Sequence, residues 1–155
     1  MKDKIIFITG ATSGIGEGCA RKFASEGANL ILNGRNQDKL NELKVELEAD
    51  FGIEVLLLPF DVRDRERAKV AIESLEGKWK SIDVLVNNAG LVIGFDKEFE
   101  GVLEEWDIVI DTNIKGSNLY QEVMLPNLFI LRLRRQLMFR WQKYWFLQQI
   151  RLLQM

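Results

Sequence analysis

Ile5-Ile6-Phe7-Ile8-Thr9-Gly10-Ala11-Thr12-Ser13-Gly14-Ile15-Gly16 is the stretch on which the reading of this chain turns. Four consecutive apolar residues running into a glycine loop suit a strand buried on both faces, as in a parallel sheet. Behind the loop, Ile15, Cys19, Phe23 and Ala24 recur at helical spacing, and Gly27 supplies a stop. Each glycine has its own expected task. Gly10 turns the chain sharply off the strand, Gly14 lets backbone approach a pyrophosphate, and Gly16 lets the helix pack close to the sheet. The N–H groups and partial positive charge at the start of the helix would face phosphate oxygens. The spacing is GxxxGxG rather than GxGxxG. An isolated glycine triplet is also what an ordinary turn looks like; its place between strand and helix gives this one its weight.

Working outward, Leu30-Ile31-Leu32 reads as a second strand, and Leu40, Leu43 and Leu47 as one face of a helix capped by Asn36 or Asp38. Ile53 to Phe60 is β-rich and ends at Asp61; Asp64 then caps a helix running through Leu75. Ile82 to Val86 is a fourth strand, ending at Asn87-Asn88-Ala89-Gly90, and a helical pattern runs from about Leu103 to Met124. Strand and helix alternate four times, the signature of βαβ units and an α/β fold with a parallel sheet.

Composition sets limits on the chemistry. The 155 residues are 47% hydrophobic and 28% charged, which fits one globular domain with a real core. Histidine is absent, so Ser–His–Asp and Cys–His catalysis and histidine-ligated metal sites are excluded, and no metal is expected. Cys19 is the one cysteine; it cannot form an intrachain disulfide and reads as a small buried residue. The N-terminal apolar run is too short for a signal peptide and no stretch is long enough to span a membrane, so the expected location is cytoplasmic.

Together with Asp61-Val62, Asn87-Asn88-Ala89-Gly90 and Asp111-Thr112-Asn113-Ile114-Lys115-Gly116, the glycine loop resembles the short-chain dehydrogenase/reductase family over about residues 4–126. Within that family, Gly34-Arg35, Trp79-Lys80-Ser81-Ile82-Asp83 and Glu105-Trp106-Asp107 are most similar to the NADP-dependent 3-hydroxy acid (serine-type) dehydrogenases. The resemblance implies a Rossmann-like doubly wound parallel sheet of order 3-2-1-4, truncated after about four strands, its far edge missing or improvised by the tail. Gly10, Thr12, Ser13, Gly14, Ile15 and Gly16 would hold the pyrophosphate. Asp61 and Val62 would contact the adenine, and Asn87, Ala89 and Gly90 would line the nicotinamide ribose. The implied activity is hydride transfer between NADP and a small hydroxy compound, in a family that is usually homo-oligomeric. Neither nucleic acid nor membrane is an expected partner.

Cofactor choice has a physical argument. A site that prefers NAD places Asp or Glu at the end of the second strand to accept the ribose 2′-hydroxyl. Here that place holds Asn33-Gly34-Arg35. No carboxylate stands there to repel a 2′-phosphate, and Arg35 can pair with one, so NADP is expected over NAD.

The family's chemistry uses a tyrosine acid/base, a lysine four residues later that lowers its pKa, a serine that holds the substrate oxygen, and an asparagine that positions a relay water. Asn113 matches the asparagine. The tyrosines are Tyr120 and Tyr144, with Met124 and Gln148 four residues on, and no serine follows Ser117. The alternative reading is therefore a catalytically inactive nucleotide-binding fragment.

Residues 127–155 contain no Ala, Val, Asp, Glu or Gly, the five residues encoded by codons beginning with G. Those five make up 53 of the first 126 residues. The tail also carries five Arg and one Lys with no acid. Five chemically unlike residues vanishing together is the mark of a changed reading frame, expected near Pro126 to Leu128 and followed by an early stop. Trp141, Tyr144, Trp145 and Phe146 among the arginines invite a membrane-surface or nucleic-acid reading. Against it, Leu131, Leu133, Leu137, Met138, Phe139 and Trp141 go nearly round a helix rather than along one face.

Overall fold

The strand that the opening run foretold is β1, Ile5–Ile8, buried along its length at the middle of a parallel sheet. The computed structural model describes residues 1–90, 107–108 and 110–112, and the backbone of 129–132. On one side β1 pairs with β2 (Asn29–Gly34), which carries β3 (Val55–Pro59). On its other side lies β4 (Val84–Asn87), with β5 (Phe129–Arg132) beyond it. The order is β3-β2-β1-β4-β5, every neighbouring pair parallel. The chain winds outward from β1 to β3 and then crosses to β4, so the topological switch point lies between the C-terminal ends of β1 and β4.

Alternate side chains of the strands feed two cores, because successive residues of a strand face opposite ways. Ile6, Ile8, Leu30, Leu32, Val84 and Val86 pack with Cys19, Ala20 and Phe23 of α1 (Gly14–Ser25) and with Leu40, Leu43 and Leu47 of α2 (Gln37–Phe51). Ile5, Phe7, Ile31 and Leu85 face the other way, onto Phe60, Val62, Leu75 and Ala68 of α3 (Arg65–Glu73). Asn36 caps α2 by accepting from the Lys39 N–H at 3.0 Å, and Asp64 caps α3 by accepting from the Arg67 N–H at 3.0 Å. The Asp83 carboxylate joins the starts of β1 and β4: Oδ2 accepts from the Ile5 N–H and Oδ1 from Lys4 Nζ, both at 2.8 Å.

Of the two outcomes expected for the far edge, missing or improvised by the tail, the structure has the second: β5, from the arginine-rich segment, covers the edge of β4. Two differences from the sequence expectation stand out. α3 stops at Glu73, and Leu75 reaches the core from the turn that follows, where its N–H bonds the Ile72 carbonyl at 3.2 Å. A 3-10 turn over Gly77–Lys80, opened by Gly77 at φ +53°, brings Trp79 against the same core. Of the helical stretch expected over 103–124, Asp107, Ile108 and Ile110 are helical and Asp111–Thr112 form a wider π turn; its other residues lie outside the described ones. Among the described residues no helix is long and apolar enough to cross a membrane.

Candidate functional site

A cleft of about 620 Å³, part of it open to solvent, lies at the C-terminal ends of the strands. Gly10, Thr12, Ser13, Asn33, Gly34, Arg35, Phe60, Asp61, Val62, Asn88, Ala89, Gly90 and Thr112 line it. Eight residues singled out from sequence meet there: Gly10, Thr12, Ser13, Arg35, Asp61, Val62, Ala89 and Gly90. Gly14, Ile15, Gly16 and Asn87 are not among the lining residues: Gly14 is exposed at the start of α1, Ile15 is half-buried, and Gly16 and Asn87 are buried. Asn113 lies outside the described residues.

The loop is held by its neighbours. Asn88 Nδ2 donates to the carbonyls of Thr9 and Gly10, both at 3.0 Å, while Thr9 Oγ1 accepts from the N–H groups of Asn88 and Ala89 at 3.0 and 2.9 Å. The Ala11 N–H donates to the Asn33 carbonyl at 2.9 Å, tying the loop to the end of β2. This tight stapling explains two glycines. A Cβ on Gly10 would stand 2.9 Å from Ala89 Cα, and Gly10 already has φ +64°; a Cβ on Gly16 would collide with the Gly10 carbonyl. Ser13, the N-cap of α1, makes no side-chain capping bond, so the first N–H groups of α1 are left to acceptors from outside the helix.

At the β2–β3 side of the cleft, Asn33 is 1% exposed and its Nδ2 donates to the carbonyls of Leu58 at 2.8 Å and Phe60 at 3.0 Å, joining the ends of β2 and β3. Its Oδ1 is buried with no hydrogen-bond partner among the described residues. Asp61 is gripped by Arg63: Oδ1 accepts from the Arg63 backbone N–H and Nε, both at 3.0 Å, and Oδ2 from Nη2 at 2.7 Å and Nε at 3.1 Å. These bonds hold the Asp61 carboxyl below the usual carboxylate range, with attraction from Arg35 adding to the effect. Arg35 is exposed at the rim.

The sequence reading missed Asn33, Phe60, Asn88 and Thr112 as lining residues, and Arg63 as the partner of Asp61. Asn88 was legible as a polar neighbour of Asn87, and Arg63 as a cation two residues from Asp61. For Asn33 the one signal was an amide closing an apolar run.

Among the described residues no cluster of His, Cys, Asp or Glu could hold a metal. Burial pushes the Cys19 thiol up to about 12, so it is no nucleophile at neutral pH. The cleft presents the uncapped start of α1 at one end and the Arg35 guanidinium at the other.

The short chain dehydrogenase family matches residues 4–133. An NADP-dependent 3-hydroxy acid dehydrogenase of Escherichia coli O6:H1 is 40% identical over 124 residues, which is 80% of this chain and 48% of the relative. The chain therefore spans about half the length of that curated relative. Among solved structures, serine dehydrogenase from Escherichia coli superposes with a TM-score of 0.75 at 37% identity, covering 83% of this chain and 60% of that one. An alcohol dehydrogenase from the archaeon Thermococcus sibiricus, complexed with 5-hydroxy-NADP, gives 0.78 at 31% identity, covering 84% and 57%.

Proposed function

Since the chain belongs to the short-chain dehydrogenase family, we propose that its cleft binds NADP and that its ancestral reaction is hydride transfer to and from a small hydroxy compound, a 3-hydroxy acid as in the name of its bacterial relative. One observation carries the cofactor reading. A helix start without a side-chain cap and a β2 end that bears Arg35 but no carboxylate open into the same cleft. The residues fit the group: Gly10, Thr12 and Ser13 line the cleft, Gly14 stands exposed at the start of α1, and no cap side chain occupies the helix's first N–H groups.

In this reading the backbone of Gly10 to Gly16, with Thr12, Ser13 and Ile15, binds the pyrophosphate through N–H groups and the helix dipole. Arg35 pairs with the 2′-phosphate. Asp61 accepts from the adenine amino group and Val62 packs beside the ring. Asn87, Ala89 and Gly90 border the nicotinamide ribose, and Asn113 positions a relay water. When bound, the nicotinamide supplies the hydride acceptor or donor. Titrating the full chain with NADP and NAD tests the proposal. NADP should bind roughly ten- to a hundredfold more tightly, the worth of a charge-assisted contact. Arg35→Asp should shift the preference toward NAD; unchanged NADP affinity in that variant overturns the assignment.

A second reading, binding without turnover, is favoured by a specific feature: within these 155 residues neither tyrosine has a lysine four positions on. Lys143 directly precedes Tyr144, which sets the two side chains on different faces of any helix. The composition of 127–155 supports a change of reading frame as the origin, which the coding DNA across codons 120–155 checks. A 3-hydroxy acid offered with NADP should then give no reduced nicotinamide, even when binding is saturated. Sustained turnover would remove this second reading.

A further inference from the structure

Asp61 poses an electrostatic problem for the cleft, and Arg63 solves it. The cleft that carries Arg35 also carries the Asp61 carboxylate, and the two groups attract each other. An uncompensated carboxylate there would compete with an incoming phosphate for the Arg35 guanidinium and would repel the phosphate directly. Arg63 engages both carboxylate oxygens, with its backbone N–H, Nε and Nη2 donating over 2.7–3.1 Å. Such a fork is the geometry in which an exposed ion pair keeps its shape. Asp111 attracts Arg63 as well, more weakly than Asp61 does.

We infer that Arg63 is a specificity-determining positioning residue: by clamping Asp61 it neutralises the cleft's carboxylate and leaves Arg35 to answer the 2′-phosphate. The inference rests on the NADP reading above and deepens it. The clamp also leaves adenine recognition intact. Each carboxylate oxygen has one full donor, the backbone N–H on Oδ1 and Nη2 on Oδ2, and the two share the single Nε–H, so lone-pair capacity remains on the carboxylate for the adenine amino group. Arg63 itself need touch no part of the cofactor.

The test is a binding cycle on the full chain, reading the ratio of NADP to NAD dissociation constants by equilibrium titration. The adenine contact is common to both dinucleotides and cancels in that ratio. Arg63→Gln should lower the preference for NADP by about fivefold, the effect of one uncompensated charge near a solvated phosphate, with NAD affinity little changed. Adding Asp61→Asn to Arg63→Gln should return the ratio to within about twofold of the starting chain, because the carboxylate that lines the cleft is gone. A merely structural role for Arg63 would not be rescued that way. Should Arg63→Gln fail to fold, Arg63→Lys, which keeps the charge and loses the fork, should give a smaller fall in the same ratio. An unchanged ratio in the foldable single variant, or a fall that Asp61→Asn does not reverse, overturns the inference while leaving the NADP reading in place. A starting chain with no preference for NADP overturns both.

Discussion

Cys19 illustrates at the level of one side chain how burial becomes a pH effect. It is 1% exposed on the inner face of α1, and burial raises its pKa from 9.0 to about 12. The raised value means that the folded state keeps a proton which the unfolded state gives up. Its stabilising contribution is therefore whole below about pH 9 and is lost as pH rises toward about 12. Unfolding free energy should fall by up to about 1.4 kcal/mol per pH unit across that window, and Cys19→Ala should flatten the slope. Urea titrations of both chains at several pH values check this; equal slopes would refute it. The burial of Cys19 was legible from helical spacing alone. The hydrogen bonds of Asn33 and Asn88 were not, because their partners lie 25 residues or more away along the chain. A sequence reports which residue stands at a strand end, but long-range pairing decides what its amide meets.

Among the elements, those set by local chemistry followed the sequence most faithfully. The Asn36 and Asp64 caps and the turn at Gly27 (φ +78°) each satisfy helix-end groups within a few residues. Replacing Asp64 by Ala should cost about 1 kcal/mol of stability, measured by thermal or denaturant unfolding, with the cleft's affinities unaffected. Gly16→Ala belongs with the close approach of α1 to the loop. Its Cβ would press on the Gly10 carbonyl, a backbone atom that cannot step aside, so the variant should lose both nucleotide affinity and stability. Retention of both would contradict the packing described. β5 was harder to read. Phe129–Arg132 is too short for an apolar run to distinguish strand from helix. Its place was settled by the open edge of β4, where a parallel partner takes up backbone groups that would otherwise stay unpaired.

For the molecule as a whole, the sheet is the frame around which the cleft's residues come together from five separate segments. β1 stands at its centre, with Ile6 and Ile8 feeding one core and Ile5 and Phe7 the other. Phe7→Ala should therefore cost about 3–5 kcal/mol, enough to threaten folding of a domain with ordinary stability. The α/β class was legible because glycine loop, strand ends and caps all pointed one way, while the strand order from β3 to β4 was implied by the family resemblance. The polarity inside the cleft was only half legible: Arg35 announced itself, while the pairing of Asp61 with Arg63 needed the turn that brings them together.

The claim at the centre of the account is that the β1–loop–α1 unit receives the phosphates of NADP. Backbone amide shifts of the full chain, followed by NMR during titration with NADP, test it most directly. The account predicts saturable shifts concentrated at Gly10 to Gly16, Arg35, Asp61-Val62 and Ala89-Gly90, with the changes at Arg35 weaker for NAD. No saturable shift, or shifts centred away from the glycine loop, would contradict it.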